Sequence, residues 1–139
     1  MVAEPPATYL VRPAIVVDCS VLSAVLFEEP MRDEALQRLA GRTLHAPGLI
    51  DHEIASVATK KLGSGWPAES VQAALTDYAN QALERHRTDV VAQVALALRY
   101  KLSAYDAAYL WLAAELRAPL ATFDARLGKA AQRHLGDLE

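Results

Sequence analysis

The chain has 139 residues, a formal charge of −3 and a pI near 5.8. That size suits one domain with one hydrophobic core, and that balance excludes a protein that grips nucleic acid by bulk positive charge. Hydrophobic residues at 53% against 22% charged exclude intrinsic disorder, while a single cysteine, Cys19, excludes an internal disulfide and fits a reducing cytoplasm.

Residues 1–13 read as an N-terminal tail or extension: prolines and Glu4 interrupt any periodicity, and no apolar stretch makes a secretory signal. The domain runs from residue 14 to 139. Residues 14–17 are a short β-branched run ending at Asp18, the pattern of a buried parallel strand. Ser20 opens a helix to about residue 28, with Val21, Leu22, Val25 and Leu26 on its apolar stripe. A second helix starts near Pro30 and is closed by Gly41. Residues 43–46 read as a second strand, residues 49–62 as a helix stopped by Gly63-Ser64-Gly65. A further helix is expected from Trp66-Pro67 to about residue 85, and a weak third strand at residues 86–88. Residues 90–100 are helical by spacing. Ser103 and Asp106 form a capping signal for a helix to about residue 117, apolar almost all round and therefore central. Its run of eight apolar residues at 107–114 is far short of the roughly 20 that span a bilayer, so no membrane partner is expected. Residues 119–122 are a strand, residues 124–134 a helix, and residues 135–138 a last strand. Strands alternating with helices imply an α/β fold of three layers, α/β/α, around a short parallel sheet of four to five strands. The 27 alanines favour closely packed helices.

Acids stand at several of these junctions. Asp18 and Asp124 follow strand ends, where an open parallel sheet forms its binding crevice. Asp106 lies in the first turn of the apolar helix, its helical neighbours Tyr109, Leu110 and Ala113 all apolar. Glu53 lies on an arc with Leu49, Ile50, Ile54 and Val57, although Asp51 sits at the edge of the same arc and periodicity does not separate the two. Any one of the three aspartates reads equally well as a helix cap worth about 1 kcal/mol. Taken together, several acids at one edge of one sheet would repel strongly unless a cation neutralised them. Lys61 shares the Glu53 stripe, but near a helix end it snorkels to water. Oxygen donors without Cys or His select Mg²⁺ or Mn²⁺ over zinc. Two such ions activate a water and stabilise a leaving oxygen in phosphodiester hydrolysis.

The segments Ile15-Val16-Val17-Asp18-Cys19-Ser20-Val21-Leu22, Ala46-Pro47 with Glu53-Ile54 beyond it, Tyr105-Asp106-Ala107-Ala108-Tyr109-Leu110 and Leu120-Ala121-Thr122-Phe123-Asp124 resemble the PIN-domain ribonucleases, in order and spacing, over residues 14–138. The compact size and the Tyr-Asp-Ala-x-Tyr-Leu stretch are most similar to the VapC toxins of type II toxin–antitoxin pairs. That resemblance implies a catalytic quartet of Asp18, Glu53, Asp106 and Asp124 holding Mg²⁺ or Mn²⁺, with Ser20 and Thr122 as supporting hydroxyls. It also implies endoribonuclease activity, an RNA substrate, a cognate antitoxin protein covering the active-site groove, and a homodimer. The chain departs from the family in its longer extension before residue 14 and in Cys19, where a small polar residue is common.

Other residues have plainer readings. Cys19 fills a small buried space rather than acting as a nucleophile. His45, His52, His86 and His134 read as surface or turn residues, none at metal-ligand spacing to another. Trp66 and Tyr78 read as core packing, with a partner-binding surface as the alternative. Arg85, Arg87, Arg99, Lys101 and Lys129 read as solvated, while Arg126, close to Asp124, is a candidate RNA contact. Two other classes remain: a receiver-like Mg²⁺-binding signalling domain, which lacks here the expected adjacent acids and trailing lysine, and a non-catalytic PIN-fold binding module, which should lose a quartet acid. A haloacid-dehalogenase-type phosphatase would need an Asp where Ser20 stands.

Overall fold

In the computed structural model, which describes Ala3 and residues 12–138, the core is a four-stranded sheet. Its strands are β1 (Ala14–Val17), β2 (Thr43–Pro47), β3 (Leu83–His86) and β4 (Leu120–Ala121), all parallel, in the order β3-β2-β1-β4. The helices are α1 (Cys19–Leu26), α2 (Arg32–Leu39), α3 (Ile50–Gly63), α4 (Ala68–Ala79), α5 (Val90–Tyr100), α6 (Ala104–Leu116) and α7 (Ala125–Gly136). The expected extension lies outside the described residues apart from Ala3 and residues 12–13. There the Pro13 carbonyl accepts a hydrogen bond from the Thr43 N–H at 2.9 Å.

The chain steps in one direction from β1 to β2 to β3, then crosses back over the sheet to place β4 on the far side of β1. Right-handed crossovers require the helices of those two journeys to lie on opposite faces. Accordingly α1 packs with α2, α3 and α4, whereas α6 packs on β1, β2 and β4 and against α5 and α7. The reversal between β1 and β4 is a topological switch point, and ligands of open α/β sheets bind at the carboxyl ends of such strands. Asp18 immediately follows β1, and Asp124 stands three residues beyond β4.

Local chemistry explains most boundaries. Asp18, Asp89, Ser103 and Asp124 accept hydrogen bonds from backbone N–H groups in the first turns of α1, α5, α6 and α7. Gly41, at φ +73°, turns the chain after α2 into β2. α6 is central as expected: Ala107, Ala108, Tyr109, Leu110, Leu112 and Ala113 are all buried. No described helix is long and apolar enough to cross a membrane.

Three expectations are corrected. α4 ends at Ala79 rather than near residue 85, and the third strand is Leu83–His86 rather than residues 86–88. Pairing with β2, from Leu44 against Leu83 to Pro47 against His86, takes those residues into the sheet, a tertiary contact that overrides local helical spacing. No strand follows α7 among the described residues. Leu127, Ala130 and Ala131 are buried and Leu135 packs on the core, so the helical stripe continues through the segment read as a strand.

Candidate active site

Asp18 is the most deeply buried member of the acidic group. It is 5% exposed, and both carboxylate oxygens are engaged. Oδ1 accepts from the Ser20 hydroxyl at 2.6 Å and from the Val21 N–H at 3.1 Å, and Oδ2 accepts from the Thr122 hydroxyl. The two hydroxyls also accept from backbone N–H groups just after β4. Ser20 Oγ accepts from the Phe123 N–H at 2.9 Å and Thr122 Oγ1 from the Asp124 N–H at 3.0 Å. Each therefore bridges the carboxylate after β1 to the backbone after β4. Ser20 and Thr122 thus both donate to the Asp18 carboxylate, one to each oxygen. Arg38 of α2 braces the same loop, donating to the Thr122 carbonyl at 3.0 Å with its guanidinium 5.0 Å from the Phe123 ring centroid.

Glu53 is half-buried on α3, and Tyr109 of α6 donates its hydroxyl to Glu53 Oε1 at 2.5 Å. Asp51, which periodicity left level with Glu53, points elsewhere. It takes the Tyr78 hydroxyl at 2.5 Å and the Arg85 guanidinium at 2.9 Å. Asp106 is partly buried at the third position of α6, where Ser103, not Asp106, caps the helix. Asp124 is exposed and caps α7 through a 2.8 Å bond from the Leu127 N–H. Arg126 is exposed on the same turn.

Burial and neighbouring charge act on three of these acids. Burial raises the Asp18 carboxyl, partly offset by hydrogen bonds from Ser20, Thr122 and Val21. Burial raises Glu53 as well, the Tyr109 hydrogen bond opposes it, and the charges of Asp18 and Asp106 raise it further. Burial followed by the charges of Asp124 and Asp18 raises Asp106. Cys19, beside them, has its thiol pushed up to about 12 by burial and then by Glu53, Asp18 and Glu29, which disfavours the thiolate that a nucleophile needs. None of the ion pairs among the described residues involves a quartet acid. Lys61, on the same helix as Glu53, faces Glu29 at 3.5 Å and lies 4.2 Å from the Trp66 ring centroid. Carboxylates gathered at a switch point without a cationic partner fit a divalent cation. Their oxygens are more widely spread than a closed cage: no three of the four lie within 4.8 Å of one another.

A cleft of about 580 Å³ opens beside Glu53, lined by Cys19, Leu49, His52, Val57, Lys60 and Tyr105 among others. Sequence reasoning missed Tyr109 as a partner of Glu53, although its spacing of three from Asp106 puts both on one helical face. It also misread two histidines. His45 is a buried strand residue and His86 a half-buried one, and their rings meet with Nδ1 of His45 2.9 Å from Nε2 of His86. The pairing of β2 with β3 creates that contact across 41 residues of sequence, which no local spacing reveals.

Residues 15–132 match the PIN domain family. The chain is 35% identical over 123 residues, 85% of its length, to a VapC ribonuclease of Mycobacterium bovis and to ribonuclease VapC9 of Mycobacterium tuberculosis, and covers 91% of each. Among solved structures, PAE2754 from Pyrobaculum aerophilum superposes with a TM-score of 0.63 at 18% identity, over 91% of this chain and 96% of that one, a likeness of fold.

Proposed function

This chain belongs to the PIN-domain family, and we propose that it is a metal-dependent endoribonuclease, the toxin of a type II toxin–antitoxin pair, with its catalytic unit in residues 14–139 behind an extension of residues 1–13. The observation that carries the reading is the gathering of Asp18, Glu53, Asp106 and Asp124 at the β1/β4 switch point without a basic partner. Asp18, Asp106 and Asp124 would hold the metal, and Glu53 would be a fourth ligand or the group that orients the attacking water. Oxygen donors alone favour Mg²⁺ or Mn²⁺. When bound, such an ion neutralises the scissile phosphate and lowers the pKa of water.

The chain's own residues do the rest. Ser20 and Thr122 fix the Asp18 carboxylate relative to Asp124, so two ligands from opposite sides of the switch point keep one geometry. Glu53, its carboxyl pKa raised by burial and one oxygen held by Tyr109, is suited to orient the attacking water by accepting its hydrogen bond. Arg126 meets the RNA backbone beside Asp124. Exposed Val90, Val91, Val94 and Leu98 form one stripe on α5, which supports a homodimer of this chain. The cleft beside Glu53, with Leu49, Val57 and Tyr105 on its walls, is suited to a segment of the antitoxin. An RNA substrate and the single cysteine fit work in the cytoplasm. A receiver-like domain is set aside by family membership, and a non-catalytic module by retention of all four acids.

The test is incubation of purified protein with total cellular RNA, with Mg²⁺, with Mn²⁺ and with EDTA, followed by mapping of new 5′ ends. Discrete cleavage that EDTA abolishes supports the reading. Intact RNA under every condition, from a folded and antitoxin-free preparation, overturns it.

A further inference from the structure

A second cluster of metal-ligating side chains lies on strands that carry no quartet acid. β2 and β3 run parallel with His45 opposite Glu84 and Pro47 opposite His86. Side chains alternate along a strand, so Glu84 and His86 share one face of β3, and His45 joins them on that face of β2. The result is three donor atoms, one from each of His45, Glu84 and His86, all within 4.8 Å of one another. Nδ1 of His45 is 2.9 Å from Nε2 of His86 and 3.4 Å from Glu84 Oε2.

Hydrogen bonding alone serves this arrangement poorly. If His86 donates to Nδ1 of His45, the Glu84 carboxylate faces a lone pair. If Nδ1 carries the proton, that single donor is shared between a ring nitrogen and a carboxylate. A cation at the centre satisfies all three lone pairs. Bonds of about 2.0–2.1 Å in tetrahedral geometry set neighbouring ligand atoms roughly 3.3 Å apart, and the two observed separations lie on either side of that value. Two imidazoles and one carboxylate suit a borderline transition ion rather than Mg²⁺. Glu84 is exposed and His86 partly so, which leaves solvent access and room for a water as fourth ligand.

We propose that His45, Glu84 and His86 form a site for a Zn²⁺-class transition ion that clips the edge strand β3 to β2. The site uses ligands from β2 and β3, whereas the acids come from β1, α3, α6 and the start of α7, so the two respond to different substitutions.

The experiment uses the full chain, stripped with chelator and held in excess Mg²⁺, titrated with Zn²⁺ alone by calorimetry and with Co²⁺ alone by visible absorption. One equivalent of Zn²⁺ is expected to bind, with the d–d bands of low-coordinate Co²⁺, in the wild type and equally in Asp106→Asn. Since losing an outer partner of a metal ligand costs 10–100-fold in affinity, loss of a ligand in His86→Gln or Glu84→Gln should weaken Zn²⁺ by about 100-fold and erase the Co²⁺ bands. Glu84 is exposed, so its variant separates ligand loss from misfolding. Absence of stoichiometric Zn²⁺ binding, or binding unchanged in both variants, reduces the trio to a hydrogen-bonded cluster and overturns the site. Binding lost in Asp106→Asn but kept in His86→Gln assigns the ion to the acids and overturns it equally.

Discussion

Asp106 isolates the cost of the acidic pocket, because Ser103 already caps α6 and leaves its carboxylate without that structural task. Replacing it with Asn removes a charge that burial, Asp124 and Asp18 all disfavour. Asp106→Asn should therefore melt higher than wild type in EDTA, lose the stabilisation that Mg²⁺ or Mn²⁺ gives wild type, and cut RNA about 1,000-fold more slowly, as expected when several kcal/mol of metal-borne stabilisation are lost. Thermal melts with and without metal, read beside a cleavage assay, check all three, and cleavage at the wild-type rate by the folded variant would remove Asp106 from the site. The same physics sets a pH dependence. Carboxyls with folded pKa values raised above their unfolded values stabilise the protonated fold, so in EDTA the contribution of these three groups is fully present below the unfolded values and is lost as pH rises through the raised ones.

Tyr109 offers a finer measurement. Its buried hydroxyl donates to Glu53 and favours the carboxylate, opposing the larger effect of burial. In Tyr109→Phe the Glu53 carboxyl should rise further, and the acidic limb of the cleavage profile should move to higher pH with little loss of the plateau rate. A profile superimposable on wild type would mean that Glu53 does not titrate in the rate-limiting step. The three candidate aspartates stand out in the sequence because each lies at a junction between elements. Glu53 was not separable from Asp51 by spacing. What distinguishes them is partners from α6, α4 and β3, contacts 34 to 56 residues away in sequence for Arg85 and Tyr109.

Among the elements, α5 is the one whose periodicity was read correctly and whose exposure was not foreseen. Val91 and Leu98 are 81% and 77% exposed, on the same stripe as Val90 and Val94, while its other side packs on α6. An apolar stripe that faces solvent rather than the core marks a surface for association. Val91→Glu and Leu98→Glu should each weaken self-association by about tenfold or more, seen as a shift to monomer in sedimentation velocity, while melting at or above the wild-type temperature at low concentration. Dimers persisting in the double variant would place the interface elsewhere. Caps, apolar stripes and glycine stops made α1, α3, α5 and α6 legible to within a residue or two. The limits of α4, β3 and the segment after α7 were not, because β3 exists through its pairing with β2 and α7 continues through its packing on the core.

For the molecule as a whole, a net charge of −3 opposes RNA at long range, and the quartet concentrates that opposition where the phosphate must come. With four carboxylates neutralised by bound cations the balance turns slightly positive, and the field at the switch point changes sign where it matters most. Metal should thus govern RNA binding as well as cleavage. With Asp124 capping α7 and Arg126 exposed on the next turn, few phosphates are contacted, so the dependence of log affinity on log salt should be shallow, with a slope near −1 to −2 by the single-strand factor of about 0.7 per phosphate. Fluorescence anisotropy of a labelled single-stranded RNA, with Ca²⁺ as a slowly reacting stand-in ion, checks this. Affinity should fall by tenfold or so on adding EDTA, a change of about 1.4 kcal/mol, and Arg126→Glu should reduce affinity in Ca²⁺ without altering Ca²⁺ binding. Affinity indifferent to EDTA would mean that the RNA is held away from the acids, on a basic surface that the sequence and the fold give no reason to expect.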